Sequence, residues 1–245
     1  MKTNELLFEL SHSVRYAIMK ALAAEPHKLT KLGELVGANN PEVSRHLDRL
    51  KKAELVEKDP EGFYFATPYG KLILSFLPGL SFVAKHPDYF MDHDLSLLPP
   101  GFLARLGELS NCNFGEGTIS NLDVSRKITM EARERLYMIS REVPADTGVY
   151  HSKVSEGVEL RVLLHENALP SGPEADRRRA TAPHVLRITS TVPIIMVITE
   201  NAAALMFPNR KGMFDFSAGF SSMDPSFRGW CEELYQYLWD QGRDP

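Results

Sequence analysis

Arg45, Arg49 and Lys52 recur at helical spacing, opposite an apolar stripe of Val43, Leu47 and Leu50. At 100° per residue Asp48 joins the cationic side, and Glu42, Ser44 and His46 fall on its flanks. Guanidinium groups present a fork of donors that fits phosphate oxygens or a guanine edge, and a lysine ammonium acts on phosphate as a point charge. Other residue sets could do different chemistry. His86, Asp88, Asp92, His93 and Asp94 offer nitrogen and oxygen donors that a hard or borderline metal accepts. Their spacing matches no standard site, and aspartates in such positions commonly cap local turns, so no metal is assigned. Arg177, Arg178 and Arg179 could hold an anion, although a charge run of this kind is ordinarily a solvated face. Glycine-rich phosphate loops, nucleophile elbows and HExxH patterns are absent, and no cofactor is expected.

The elements around the cationic stretch give it a place. Leu29 to Val36 has the pattern of a short helix closed by Gly37, and a second helix opens after the turn at Ala38. Asn40 suits its N-cap, and Pro41 the next position, where a missing N–H costs nothing. Asp59-Pro60-Glu61-Gly62 is a turn signal, and Phe63-Tyr64-Phe65 returns as a strand. Helix, tight turn, helix and hairpin in this order make a winged helix-turn-helix, whose second helix enters the DNA major groove. The expected DNA contacts are Asn40, Glu42, Ser44, Arg45, His46 and Arg49, with Lys52 and the wing residues Lys58 and Tyr64 on the backbone. Thr3 to Glu9 and Ser13 to Ala24 read as preceding helices, with Arg15 and Lys20 solvated.

Charge limits how such a module could work. The net charge of -4 exerts no global pull on nucleic acid. Through Gly70 there are 10 basic and 10 acidic side chains, so attraction must come from the local cluster of Arg45, Arg49, Lys51, Lys52 and Lys58. The remaining 18 basic and 22 acidic residues carry the deficit. Length and a hydrophobic content of 43% suit one or two globular domains. Two distant cysteines, Cys112 and Cys231, fit buried inert thiols better than a redox pair or a metal site. With neither a secretory pattern nor a membrane-length apolar run, the expected location is the cytoplasm, away from membranes.

Beyond the wing, Thr67 and Pro68 start a helix whose stripe, Ile73, Phe76, Leu77, Leu80 and Val83, suits pairing with a second copy. Pro78-Gly79 should kink or break it. After a connector from His86 to Leu95, helices are expected from Pro99 to Leu109 and from Ser125 to Arg141. A third helix ends at Ser155-Glu156-Gly157. Strands are expected at Val158 to Leu164, His184 to Thr189 and Pro193 to Thr199, and a closing antiparallel pair at Ala203 to Phe207 and Met213 to Phe220. Pro170 to Thr181 reads as loop and helix, and Pro225 to Gln241 as a terminal helix with Trp230, Cys231, Leu234 and Leu238 inward.

Leu10-Ser11-His12-Ser13-Val14-Arg15, Pro41-Glu42-Val43-Ser44-Arg45-His46-Leu47 and Leu50-Lys51-Lys52-Ala53-Glu54-Leu55-Val56 resemble the DNA-binding domain of ArsR-like transcriptional regulators. His86-Pro87-Asp88-Tyr89-Phe90, Leu103 to Leu109, Gly157 to Leu164 and Trp230 to Tyr235 resemble the effector domain of archaeal methanogenesis regulatory proteins. Leu169 to Pro183 departs from that family, with small residues, prolines and arginines in place of an acidic helix. The resemblance implies an α/β chain, α+β overall: a winged helix-turn-helix over 1–70, a linker helix over 71–85 and a layered α/β effector domain over 86–245. It also implies that the effector domain is similar to one half of a phospholipase D-like architecture. Those enzymes use a His-x-Lys pair, which His151-Ser152-Lys153 echoes, but no following Asp and no second copy are present. The expected function is a non-enzymatic, homodimeric regulator of transcription that binds double-stranded DNA and is modulated by a small molecule. The rival readings are a phosphodiesterase working through His151 and Lys153, and an adaptor that binds a protein through the winged helix.

Overall fold

The computed structural model describes residues 2–143, 147–168 and 186–245. The expectations for Leu169 to Pro183, the loop and helix at Pro170 to Thr181, Arg177 to Arg179 and the start of the His184 strand lie outside the described residues. The chain divides into two compact units, Met1–Pro78 and Gly79–Pro245.

In the first unit, α1 (Thr3–Leu10) and α2 (Ser13–Ala24) precede the helix pair α3 (Leu29–Val36) and α4 (Asn40–Lys52). The hairpin β1 (Val56–Lys58) and β2 (Tyr64–Ala66) follows, and α5 (Pro68–Ser75) returns to the core. Gly37 ends α3 at φ 65, the left-handed conformation that a residue without Cβ adopts freely. The cap of α4 is Asn39 rather than Asn40: its Oδ1 accepts from the Glu42 N–H at 3.0 Å. Two adjacent asparagines offer equal caps, and Pro41 is tolerated throughout the first turn, where N–H groups have no intrahelical partner. Val43, Leu47 and Leu50 close on Ile18, Met19, Leu22 and Leu32 in one core.

Arg15 is buried, contrary to the expectation of a solvated side chain. Its Nε donates to the Glu9 carbonyl at 2.5 Å and its Nη2 to the Phe8 carbonyl at 2.7 Å, satisfying acceptors that the end of α1 leaves open. Sequence spacing cannot show a side chain folding back onto the preceding helix.

Gly70 marks another close approach. A Cβ there would lie 2.2 Å from the Leu55 carbonyl oxygen, beneath the cap made by Thr67. Gly70→Ala is therefore expected to push α5 off the wing and destabilise the first unit by about 1–3 kcal/mol. A chemical-denaturation midpoint equal to that of the parent protein would sink this.

The break expected at Pro78-Gly79 falls at Phe76, between α5 and α6 (Leu77–Lys85). Pro78 cannot donate to the Leu74 carbonyl four residues back and its ring crowds that group, so α5 stops short of it, whereas within the first turn of α6 the missing N–H costs no hydrogen bond. Ile73, Leu74 and Leu77 turn to the core of the first unit, whereas Leu72, Phe76, Leu80 and Val83 are exposed.

The second unit holds α7 (Pro87–Asp92), α8 (Pro100–Ala104) and a 3-10 turn at Leu106–Leu109. Next come β3 (Asn113–Glu116), α9 (Thr118–Glu131), β4 (Arg135–Ser140), α10 (Thr147–Ser155) and β5 (Glu159–His165). The described chain ends with β6 (Leu186–Thr189), β7 (Ile195–Thr199), β8 (Ala203–Met206), β9 (Ala218–Ser222) and α11 (Pro225–Gln241). Among the described residues they build a mixed sheet in the order β3-β9-β8-β7-β4-β5-β6, parallel where β4, β5 and β6 meet and antiparallel elsewhere.

One face of the sheet is covered by α11, whose Phe227, Trp230, Cys231 and Leu234 are fully buried. Ile128 and Val124 of α9 and Tyr150 of α10 pack on the other, against Leu136, Met138, Val197 and Ala204. Cover on both faces explains the unbroken apolar run at β7. The fold is α/β as expected, with α9 and β4 as the main correction. The helix expected over Ser125 to Arg141 ends at Glu131, and its second half is the central strand β4. Ile128, Ala132 and Leu136 keep helical spacing across a turn that a distant group fixes. The Glu200 carboxylate accepts from the N–H of Arg133 at 2.9 Å and of Arg135 at 3.3 Å. The helix expected from Pro99 to Leu109 likewise breaks at Arg105, and β3 lies in a stretch to which no element is assigned from the sequence.

Candidate nucleic-acid interface

The outer side of α4 is the cationic one. Arg45, Lys51 and Lys52 are exposed and have no partner among the described residues. Arg49 is also exposed, but its Nε donates to Glu9 Oε2 at 2.9 Å and its Nη2 to Glu9 Oε1. Glu9 thus bridges Arg49 and the buried Arg15, whose Nε lies 3.2 Å from Oε2. The Arg49 guanidinium beside it, then that of Arg15, holds the Glu9 carboxyl below the usual carboxylate range despite the opposing cost of burial. Phe8 supports both guanidinium groups, 5.8 Å from Arg15 and 5.4 Å from Arg49.

Asn40 is exposed in the first turn, and Glu42 and Ser44, both half-buried, flank the cationic side. Two of the expected contacts point inward. His46 lies against the module's own helices, its ring 4.3 Å from that of His12 and its Nε2 3.7 Å from Glu42. Tyr64 belongs to the core, and its backbone pairs with His27 in both directions. The physical reason is register: Tyr64 and Ala66 share the inner face of β2, so Phe65 is the half-buried member of that strand. On the wing, Lys58 lies over the Tyr64 ring at 5.2 Å and Lys28 over Phe63 at 4.9 Å. Lys28 is a cation the sequence does not flag, because it precedes α3 and reaches the wing only through the fold.

The Nδ1 of His46 is buried without a partner among the described residues. Burial first, then the charges of His12 and Arg15, push the imidazole below its ordinary value. A histidine depressed in the folded state stabilises fully above its unfolded pKa, near 6.5, and loses that contribution as pH falls below it. Thermal stability of the first unit is therefore expected to drop as pH falls below about 6.5, before ordinary carboxylates titrate. His46→Gln should flatten this drop, and an unchanged slope in the variant would refute the assignment.

In the second unit the residues read as possible chemistry are dispersed. His151 is exposed, whereas Lys153 is buried and donates to the Ala132 carbonyl at 3.1 Å and Glu156 Oε2 at 3.0 Å. The ammonium thus fixes α10 to the end of α9, and the two side chains do not converge. His86 packs among Phe82, Phe114 and Phe220; His93 stacks on Tyr89 at 3.7 Å; and Asp94 accepts from Ser96. Among the described residues no cluster of three or more histidine, cysteine, aspartate or glutamate side chains forms a metal cage. Burial pushes the Cys112 thiol up to about 11 and raises Cys231 well above the ordinary thiol range, which fits inert sulfur.

Residues 10–59 match the model of a helix-turn-helix domain. Together with the helix pair and wing, this defines the first unit as a helix-turn-helix domain. Residues 127–241 match the model of the middle domain of methanogenesis regulatory protein FilR1. The methanogenesis regulatory protein FilR1 of Methanothrix harundinacea (strain 6Ac) is 23% identical over 256 residues, which cover 96% of this chain and 56% of the relative. The chain thus spans about half the length of that curated relative. Among solved structures, an archaeal chromatin protein, TrmBL2, is similar with a TM-score of 0.46 and 15% identity, over 96% of this chain and 95% of the other. Nuc, a phospholipase D family member from Salmonella typhimurium, is similar with a TM-score of 0.42 and 17% identity, over 55% of this chain and 97% of the other.

Proposed function

We propose that this chain regulates transcription in the cytoplasm by binding double-stranded DNA as a homodimer, without catalysing a reaction, and that a small molecule bound by the second unit biases that binding. The observation that carries the DNA reading is the pair of exposed cations Arg45 and Lys52, two turns apart on α4, unpartnered among the described residues and opposite a fully buried stripe, with Lys51 on the flank. In this reading α4 lies in the major groove, with Arg45 at base edges and Lys52, Lys58 and Lys28 on phosphates. Asn40 and Glu42 sit close enough to the groove to tune it, and Arg49 takes part through its pair with Glu9. His46 and Tyr64 hold the reading helix and wing in place from behind.

Dimerisation is supported by apolar side chains that the first unit leaves exposed at α5, Leu72 and Phe76. Selection of bound sequences from a random DNA pool is expected to return two related half-sites in dyad arrangement, their centres one helical turn or a multiple apart. Leu72→Glu with Phe76→Glu should leave the protein folded, convert it to monomers in sedimentation and reduce selection to single half-sites. A pool with no enriched sequence would remove the DNA reading, and a dimer unaffected by those changes would remove the proposed dimer surface. The effector reading requires a ligand with different affinities for DNA-binding and non-binding states.

A further inference from the structure

Among the described residues, a cavity of about 450 Å³ that opens to solvent lies between α9 and the sheet face opposite α11. Clefts of this size with an apolar wall are where small molecules ordinarily bind. Its floor is apolar, made by Met138, Val197, Ala204 and Met206 from β4, β7 and β8, with the small residues Gly219 and Ser221 on β9. Its roof is one side of α9: Leu122, Ser125, Arg126 and Thr129 recur at steps of three and four. The adjacent side of that helix, Val124 and Ile128, does the packing on the sheet. So, among the described residues, α9 turns one stripe to the core and a second, partly polar stripe to the cavity.

Arg126 is the polar group that stands out. It lines the cavity on a regular helix and has no partner among the described residues. Several other arginines of this unit are tied: Arg105 to Glu108 and Glu233, Arg135 to Glu232, Arg228 to the Glu200 carbonyl. A guanidinium is weakly hydrated and its fork matches a carboxylate in two parallel hydrogen bonds. Glu142 also lines the cavity, after the end of β4, and its side chain is exposed to water.

We propose that this cavity is the effector site and that its ligand is an apolar carboxylate, the hydrocarbon body lying on the methionine-lined floor and the carboxylate held by Arg126. The volume suits a body of roughly 15 non-hydrogen atoms or fewer, at about 30 Å³ each. Met138 and Met206 are unbranched and adjust to the shape of the body. This proposal rests on the effector reading given above for the second unit.

The test is calorimetric titration of the full chain at about pH 7 with decanoate, and with decanol and decylamine as matched neutral and cationic probes. Decanoate is expected to bind about tenfold tighter than decanol, and Arg126→Gln to erase the difference while leaving decanol unchanged. Ser221→Leu, on the β9 side of the floor, should weaken both probes by filling space. Ala204→Leu should do the same, with a thermal melt confirming that it folds. Equal affinity for decanoate in the parent and Arg126→Gln, tighter binding of decylamine, or no heat from any probe would each overturn the site. Decanoate binding that leaves affinity for the selected DNA unchanged would uphold the cavity as a carboxylate site and remove its effector role. Absence of decanoate binding beside intact DNA binding would remove the cavity proposal alone.

Discussion

Reversing Arg45 and Lys52 together, Arg45→Glu with Lys52→Glu, is expected to lower affinity for the selected DNA by about a hundredfold or more. A bidentate arginine at a base edge contributes about 1–3 kcal/mol of discrimination, and placing carboxylates against phosphates adds repulsion. Both residues are exposed on α4 with no partner among the described residues, so the change removes nothing that holds the fold. Thermal stability should therefore stay within about 0.5 kcal/mol of the parent. A second readout separates their roles. The plot of log affinity against log salt should become shallower by about 0.9 for each phosphate no longer neutralised. Arg45→Ala alone should relax base preference at one position of each half-site, and Lys52→Ala should weaken all sequences alike. Unchanged affinity in the double reversal would end the major-groove assignment and favour a protein partner for this face.

The second large effect concerns the second unit. Trp230 of α11 is fully buried, stands edge-on to Phe102 at 5.6 Å and donates from Nε1 to the Phe102 carbonyl at 3.2 Å. Trp230→Ala removes the largest fully buried side chain of that core and one donor to a part-buried carbonyl. Large-to-small changes of this kind cost about 3–5 kcal/mol. At the size of this unit that lowers the melting temperature by roughly 10 °C. Tyr237 lies on the same helix against the same phenylalanine but is 46% exposed, so Tyr237→Ala should cost under about 1 kcal/mol. A melting temperature within a degree or two of the parent for Trp230→Ala would show that α11 is not the main cover of the sheet.

Trp230 and Tyr237 also mark what a linear sequence can reveal. The bounds of α11, the buried stripe of α4 and the break near Pro78 follow from spacing and from proline, which act within a few residues. Asn39 displaces Asn40 as cap because two identical side chains compete at one boundary, an ambiguity local chemistry does not resolve. The strand β4 is hidden in a helical period because its start is set by Glu200, far along the chain. Interface residues divide in the same way. The outward direction of Arg45 and Lys52 follows from helix geometry alone. His46 turns inward because His12 and Glu42 meet it, and Tyr64 because the His27 backbone fixes its strand register. The cavity beneath α9 has no sequence signature at all: its apolar floor comes from separate strands and reads residue by residue as ordinary core.

Glu9 gives the proposed interface a resident competitor. Its carboxylate already occupies the fork of Arg49, so a phosphate that recruits this arginine must displace or share an anion that belongs to the protein. The gain on any arbitrary duplex is correspondingly small, since one negative group is exchanged for another and a freed Glu9 would repel the backbone. Only DNA that also satisfies Arg45 recovers the difference. An internal anion of this kind trades raw attraction for selectivity, which suits a module with equal numbers of acidic and basic side chains searching an excess of wrong sites.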